Sequence, residues 1–348
     1  TPLRGRIAGY RVLRDGAPLF QVPSADARAT NLFAGRGYTF AIQAVDALGT
    51  VSEPSAPLRV TTQAPDPTQG RLHAFLLAST DRSFQDFQDH YRRIGTVYPT
   101  YYDCTPGAVL TGRDDPLITA WAQARRVEVL PRFNCQRTAV LSRIVNEPAL
   151  RQAWIDQIAD TVAASGADGA SLDFEAGAAA DRAAYTSFVT DLAARLHGQG
   201  QRLTVAVSAK TADVANHPRS TFFDYVALSQ VVDHIFVMAW GIHWATSAPG
   251  AQDDLPWVTR VATYIATLPN VGRYVMGTQL YAMDWASGGG AAHPATSYEY
   301  RDVSAMAAAM GVAPRLDPVS DGMTFAYTAP DGAPHAVWFA DERASIDY

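Results

Sequence analysis

The sequence predicts an α/β protein built on a (β/α)8 barrel, with a smaller all-β segment ahead of it. Three observations predict this. From residue 71 onward, apolar strand-like runs alternate with amphipathic helical stretches, and strands that alternate with helices form a parallel sheet. A region of that length with many such units favours a closed barrel, whose chemistry gathers at the carboxyl ends of its strands. The competing open doubly wound sheet lacks support, because no glycine-rich phosphate loop follows the first strand.

The elements follow in order. Short strand-like runs over 9–14, 38–45 and 58–62 are separated by the turn signals Asp15-Gly16 and Ala47-Leu48-Gly49, an all-β pattern for residues 1–63. Residues 64–70 read Ala-Pro-Asp-Pro-Thr-Gln-Gly, a semi-rigid connector. The barrel region, 71–348, carries strands over 71–78, 96–102, 127–134, 169–175, 203–210, 234–240 and 274–281. Helices are expected over 114–125, 148–165, 181–197 and 256–268, and a segment near 286–340 reads as an insertion. The chain stops soon after Phe339-Ala340-Asp341-Glu342-Arg343 with no eighth strand in sight. An open edge would leave backbone groups unpaired, so a fragment clipped at both ends is expected, or a barrel closed in another way.

Composition narrows the partners. The 348 residues are 48% hydrophobic and 18% charged, with net charge -6 and no run of like charges, which describes a soluble globular protein and disfavours nucleic acid. No stretch approaches the roughly 20 apolar residues of a membrane span. Thr1-Pro2-Leu3-Arg4 is no signal peptide, so an export signal would lie upstream of this chain. Cys104 and Cys135 fit no zinc or C-x-x-C spacing and read as a structural disulfide or as two buried thiols.

The chemistry points to one strand. Asp168-Gly169-Ala170-Ser171-Leu172-Asp173-Phe174-Glu175 ends in a carboxylate, with Ser171, Asp173 and Glu175 on one face and Leu172 and Phe174 on the other. Two carboxyl groups so close do not both ionise readily, which raises the pKa of one and keeps an acid protonated near neutrality. A general acid needs that. The bland alternative, acids solvating an exposed strand or meeting arginines, fits less well with the apolar residues between them.

Further strand ends carry Val207-Ser208-Ala209-Lys210, Phe236-Val237-Met238-Ala239-Trp240 with His243-Trp244, and Gly277-Thr278-Gln279-Leu280-Tyr281-Ala282-Met283-Asp284-Trp285. Together with the motif D-G-x-D-x-D-x-E at Asp168 to Glu175, these resemble glycoside hydrolase family 18, the chitinases and endo-β-N-acetylglucosaminidases, and most closely its spore-cortex and cell-wall branch. The first segment resembles a fibronectin type III module through Gly9 to Gly16, Leu32, Tyr38 to Asp46 and Ser52-Glu53-Pro54-Ser55, with Tyr38 as the corner tyrosine and the first two strands missing.

The family resemblance implies a TIM barrel and substrate-assisted retention, an exception to the usual two-carboxylate scheme. Glu175 would protonate the leaving oxygen and then act as base toward water, while Asp173 holds the acetamide nitrogen of the substrate. No metal or organic cofactor is called for. The partner is an N-acetylglucosamine-containing polysaccharide, chitin, peptidoglycan or a related polymer, cleaved at β-1,4 bonds outside the cell. A glycan-binding protein that has lost catalysis is the rival, motivated by two departures from the family pattern. Ser171 replaces an aspartate and is expected to orient Asp173, which should then titrate less abnormally. Trp240 and Gly241 replace a tyrosine and an aspartate, and an indole N–H can donate only one hydrogen bond. A third option gives Asp173 the role of covalent nucleophile.

Tyr281, Trp285, Trp244, Gln279, Lys210 and Tyr98 are expected at the substrate, in company with Tyr101, Tyr102 and Phe133 at other strand ends. Core packing is the alternative for each ring. Lys210 and Arg132 are cations placed to meet an acidic glycan, or simply solvated, and His243 reads as a satisfied loop histidine, with a hydrogen bond to a sugar hydroxyl as the alternative. Cys104 and Cys135 end neighbouring strands, close enough for a disulfide pinning two active-site loops in an oxidising compartment.

Overall fold

The computed structural model describes residues 5–27, 29, 37–61, 72–77, 81–215 and 217–340. The connector expected over 64–70, Leu32 and the residues after Ala340 lie outside the described residues. The chain divides into two compact units, Thr1–Gln69 and a second that starts at Gly70.

In the first unit, β1 (Ile7–Arg14), β2 (Ala17–Val22), β3 (Gly37–Asp46) and β4 (Leu58–Thr61) form one antiparallel sheet in the order β2-β1-β3-β4. Strand β2 went unread in the sequence. Asp15 and Gly16 hold φ of 52° and 84°, the left-handed pair that turns β1 tightly into β2. Tyr38 is buried on β3.

The second unit holds the barrel strands β5 (Leu72–Leu76), β6 (Ile94–Pro99), β9 (Glu128–Val129), β10 (Arg132–Asn134), β11 (Gly169–Asp173), β12 (Arg202–Ser208), β13 (His234–Met238) and β14 (Tyr274–Gly277). They pair in parallel in chain order, β9 and β10 being two halves of one strand. Pro131 breaks that strand because it has no N–H to donate, yet its carbonyl still accepts from the Ser171 N–H at 2.9 Å. The expected strand over 96–102 also stops early. Pro99 ends it, and β7 (Tyr102–Cys104) instead forms a hairpin with β8 (Leu110–Gly112).

Helices α1 (Asp81–His90), α2 (Pro116–Gln123), α3 (Thr138–Asn146), α4 (Pro148–Ser165), α5 (Arg182–His197), α6 (Tyr225–Val231) and α7 (Leu255–Ile265) alternate with the strands. Helix α4 starts on Pro148 and ends at Gly166 in the left-handed conformation, a stop that glycine adopts without strain. Leu172 on β11 and Phe174 just past its end face outward into this layer, and Phe174 meets Trp154 of α4 and Phe188 of α5 at centroid distances of 6.0 and 5.8 Å. Each such buried side chain contributes roughly 1.5–3 kcal/mol. Gly169 opens β11 because a Cβ there would stand 2.1 Å from the Arg202 carbonyl oxygen, so only glycine lets β12 pair so closely.

The expected strand over 274–281 is two strands in two sheets. Strand β14 ends at Gly277, and β15 (Tyr281–Ala286) opens an antiparallel sheet with β16 (Thr296–Glu299), β17 (Arg315–Leu316), β18 (Met323–Thr328) and β19 (Pro334–Phe339), backed by α8 (Tyr300–Ala309). The antiparallel sheet of this region therefore begins at Tyr281.

Candidate active site

Register brings the chemistry together. Asp103 pairs with Asn134 across β7 and β10, and Asn134 pairs with Asp173 across β10 and β11, so the three stand in one row at the carboxyl ends. Asn134 Nδ2 donates to Asp103 Oδ1 at 2.5 Å. One layer below, Arg132 pairs with Ser171, and its Nη1 reaches up to Asp173 Oδ2 at 2.9 Å. Asp173 is 4% exposed, and its other oxygen, Oδ1, has no partner.

Ser171 does not orient Asp173. Its hydroxyl is fully buried without a hydrogen-bond partner, and the long guanidinium of Arg132 takes the orienting role that a short hydroxyl cannot reach. Nor does Asp173 titrate nearly normally, as the loss of a deeper aspartate suggested. Burial first, and then the charge of Glu175, push its carboxyl up to about 7 against the opposing pull of Arg132. Behind it, the buried Tyr185 hydroxyl is held well above the ordinary phenol range by burial and by Asp173.

Glu175 lies just past the end of β11 and is half-buried. Gln136 Nε2 donates to its Oε1 at 2.6 Å. Gly177 follows because a Cβ there would stand 2.2 Å from the Phe222 ring, which keeps the loop after Glu175 against the barrel. Asp103, Cys104, Asn134, Gln136 and Arg137 line a cleft of about 520 Å³. The disulfide Cys104–Cys135, with Cα atoms 5.1 Å apart, ties β7 to the residue between Asn134 and Gln136. Sequence reading missed Asp103, Asn134 and Gln136. The usable signal was that Asn134-Cys135-Gln136 ends a barrel strand, where polar side chains converge.

On another wall stand Trp240 and Tyr281, both half-buried. The Trp240 indole N–H lies near the Tyr281 hydroxyl, where it favours the charged form of the phenol. Burial, with Asp253 and Glu175 within electrostatic reach, pushes the Tyr281 hydroxyl up to about 12.

Four expected contacts are corrected. Tyr98 is fully buried inside the barrel, bonded to His73 Nδ1 at 2.6 Å and to Thr204 at 3.4 Å, because β6 turns it inward rather than upward. Lys210 is buried, and its Nζ donates to Asp213 Oδ1 and the Phe223 carbonyl, each at 2.6 Å, so it serves an internal ion network. Trp285 is fully buried because β15 belongs to the antiparallel sheet. Gln279 is buried, its Nε2 donating to Asp253 Oδ1 at 3.4 Å. Trp244 stays 49% exposed and free to stack. Of the remaining rings, Tyr101, Tyr102 and Phe133 are core. His243 bonds the Ala248 carbonyl at 2.9 Å, a satisfied loop histidine.

A parallel barrel with a buried carboxyl and a half-buried one two residues later, at a strand's carboxyl end, is the arrangement of a glycoside hydrolase. The profile of the glycosyl hydrolases family 18 matches residues 118–347, and the chain belongs to that family. It is 31% identical over 208 residues, 60% of this chain and 49% of the relative, to the provisionally named sporulation-specific glycosylase YdhD of Bacillus subtilis. It is 28% identical over 216 residues, 61% of this chain and 49% of the relative, to the cortical fragment-lytic enzyme of Bacillus anthracis. The chain thus spans about half the length of these relatives. A solved chitinase from Chromobacterium violaceum superposes with a TM-score of 0.71 at 21% identity, over 79% of this chain and 88% of that one, a likeness of fold.

Proposed function

We propose that the protein hydrolyses β-1,4 glycosidic bonds at N-acetylglucosamine residues of chitin, peptidoglycan or a related glycan, with retention and with the substrate's acetamide as nucleophile. The observation that carries this reading is the Asp173 carboxyl, fixed at Oδ2 by Arg132, with its buried Oδ1 left without a partner and Glu175 within electrostatic reach. An acetamide N–H is the donor such an oxygen accepts. In the first step Glu175 gives its proton to the leaving oxygen as that C–O bond breaks, and the acetamide carbonyl oxygen bonds to the anomeric carbon. Asp173 balances the positive charge of the resulting oxazolinium. Water then attacks the same carbon, its proton passes to Glu175, and the acetamide re-forms.

The same reading extends to the whole protein. Residues 1–63 act as a fibronectin type III-like accessory joined by the 64–70 connector to the catalytic region, and the enzyme works outside the cell. Supporting an extracellular site are the disulfide and the cortical fragment-lytic relative. Among the described residues no helix is long and apolar enough to cross a membrane.

Reducing ends released from N-acetylglucosamine oligomers and from purified peptidoglycan test the proposal. Glu175→Gln should nearly abolish turnover while glycan binding persists, and de-N-acetylated oligomers should resist cleavage. Full activity in that variant would defeat the reading, whereas binding without hydrolysis by the unaltered protein would favour a lectin.

A further inference from the structure

Lys210 and Arg132, the cations expected at an acidic glycan, are both committed internally, Lys210 to Asp213 at 2.6 Å and Arg132 to Asp173 at 2.9 Å. A third cation stands where they were expected. Arg137 lines the cleft with Asp103, Cys104, Asn134 and Gln136, and it is exposed there. Among the described residues no hydrogen bond or ion pair engages its side chain. Arg143, on the helix that Arg137 precedes, differs in being bonded to Glu147 at 2.8 Å.

Local structure disfavours a cation at this position. Arg137 is the N-cap of α3, where a short polar side chain is normally found, and its own side chain makes no capping bond. The positive end of a helix also repels a guanidinium. An anion docked in the cleft relieves both, because it neutralises the arginine and suits the N–H groups of the first turn. A second, independent feature of the cleft also calls for a ligand. Asn134 is 8% exposed, its Nδ2 is used on Asp103, and its Oδ1 has no partner. Buried polar atoms left unsatisfied are few in native structures, so this one fits a cleft that a ligand completes.

Position and shape give the anion its chemistry. Gln136, next to Arg137, bonds Glu175 Oε1 at 2.6 Å, so the cleft adjoins the proposed acid. Its volume of about 520 Å³ lies within the ~300–1,000 Å³ range of ligand sites. Asp103 is the one acid on the cleft wall, and the Asn134 amide meets its Oδ1 at 2.5 Å. A guanidinium fork matches a carboxylate through two parallel N–H···O bonds. We propose that Arg137, at the first turn of α3, forms a carboxylate subsite beside Glu175. This subsite selects N-acetylglucosamine glycans whose neighbouring sugar carries a carboxylate, on an ether arm of the ring or on an attached peptide, over neutral chitin. The inference rests on the hydrolase reading above.

The test compares kcat/KM of the full chain on neutral N-acetylglucosamine oligomers with that on peptidoglycan glycan strands, either intact or stripped of peptide by an amidase so that the ring carboxyl is free. The unaltered enzyme should favour the strands, and its KM on them should rise with salt, because an exposed ion pair is screened. Arg137→Gln should lower kcat/KM on the strands at least 10-fold more than on the oligomers, the scale of a lost bond to a charged group. The loss should fall mainly on KM, and the salt dependence should weaken. Arg137→Lys should recover part of the preference. A loss seen on stripped strands assigns the ring carboxyl, and a loss confined to intact strands assigns the peptide. Equal losses on strands and oligomers, or no loss on either, overturn the inference, as does an unaltered enzyme that favours the oligomers. Calorimetric binding of the same glycans to Glu175→Gln, with and without Arg137→Gln, separates the two readings. A binding preference that depends on Arg137, in a protein whose unaltered form cleaves neither glycan, would sink the hydrolase reading and leave the subsite standing.

Discussion

Arg132 Nη1 bonds Asp173 Oδ2 at 2.9 Å from one layer beneath it, so a cation occupies the position below the buried carboxyl and sets both its orientation and its charge. Asp173 is raised by burial and by Glu175, and Arg132 is what limits the rise. In the proposed mechanism Glu175 delivers the proton to the leaving oxygen and Asp173 accepts from the acetamide N–H.

Replacing Arg132 by Gln should therefore move the acid limb of kcat/KM, set near 7 by Asp173, to higher pH. Removing a charge-assisted bond should also cost roughly 10- to 100-fold in kcat. A limb that stays put or moves down in pH would show that Arg132 does not govern Asp173.

Gln136 holds Glu175 Oε1 at 2.6 Å from an exposed position. Gln136→Leu should lower kcat about 10-fold, the lower end for a bond to a charged group, and leave KM and thermal stability nearly unchanged. Steady-state kinetics beside a melting curve checks this, and a normal kcat would remove Gln136 from the site.

The disulfide closes a loop of 31 residues. The chain-entropy model gives about 3 to 4 kcal/mol for a loop of that size. Cys104→Ala with Cys135→Ala should lower the denaturant midpoint accordingly and also reduce kcat, since Asn134 and Gln136 flank Cys135. Titration with denaturant under oxidising conditions measures the first, and equal midpoints for both proteins would contradict it.

His73, inside the barrel against Tyr98 and His234, is pushed down to about 4 by burial and by the charges of His234 and Arg202. A base with a lowered folded pKa stays neutral in the native state while the unfolded chain takes up its proton. Its contribution is full above the unfolded value, about 6.5, and falls as pH drops from there toward 4. His73→Asn should thus melt with a shallower pH dependence than the unaltered protein between those limits. Parallel curves would refute the assignment.

Much of the framework was legible in local pattern. Helix α4 runs over Pro148–Ser165 as read, bounded by a proline start and a glycine stop, and β11 ends on Asp173 with Glu175 two residues further on. Errors fell where a locally good run crosses a structural break. The run over 274–281 is continuously strand-like, yet Gly277 packs under the Phe236 and Trp240 rings, and Asp253 holds Thr278 and Gln279, so the chain leaves the barrel there. Pro99 and Pro131 divided two further strands that apolar patterning joined.

By itself, the sequence determined the strand–helix alternation, the stacked order of Ser171, Asp173 and Glu175, and the placement of chemistry at strand ends, because periodicity and spacing are local properties of the chain. Only the tertiary structure decided which groups meet. Cross-strand register put Arg132 under Asp173, Asn134 beside Asp103 and Gln136 on Glu175. The inward or outward turn of each strand sent Tyr98, Lys210 and Trp285 into the interior and left Trp244 in solvent. Those outcomes depend on contacts between residues far apart in the chain, and no local pattern encodes their direction.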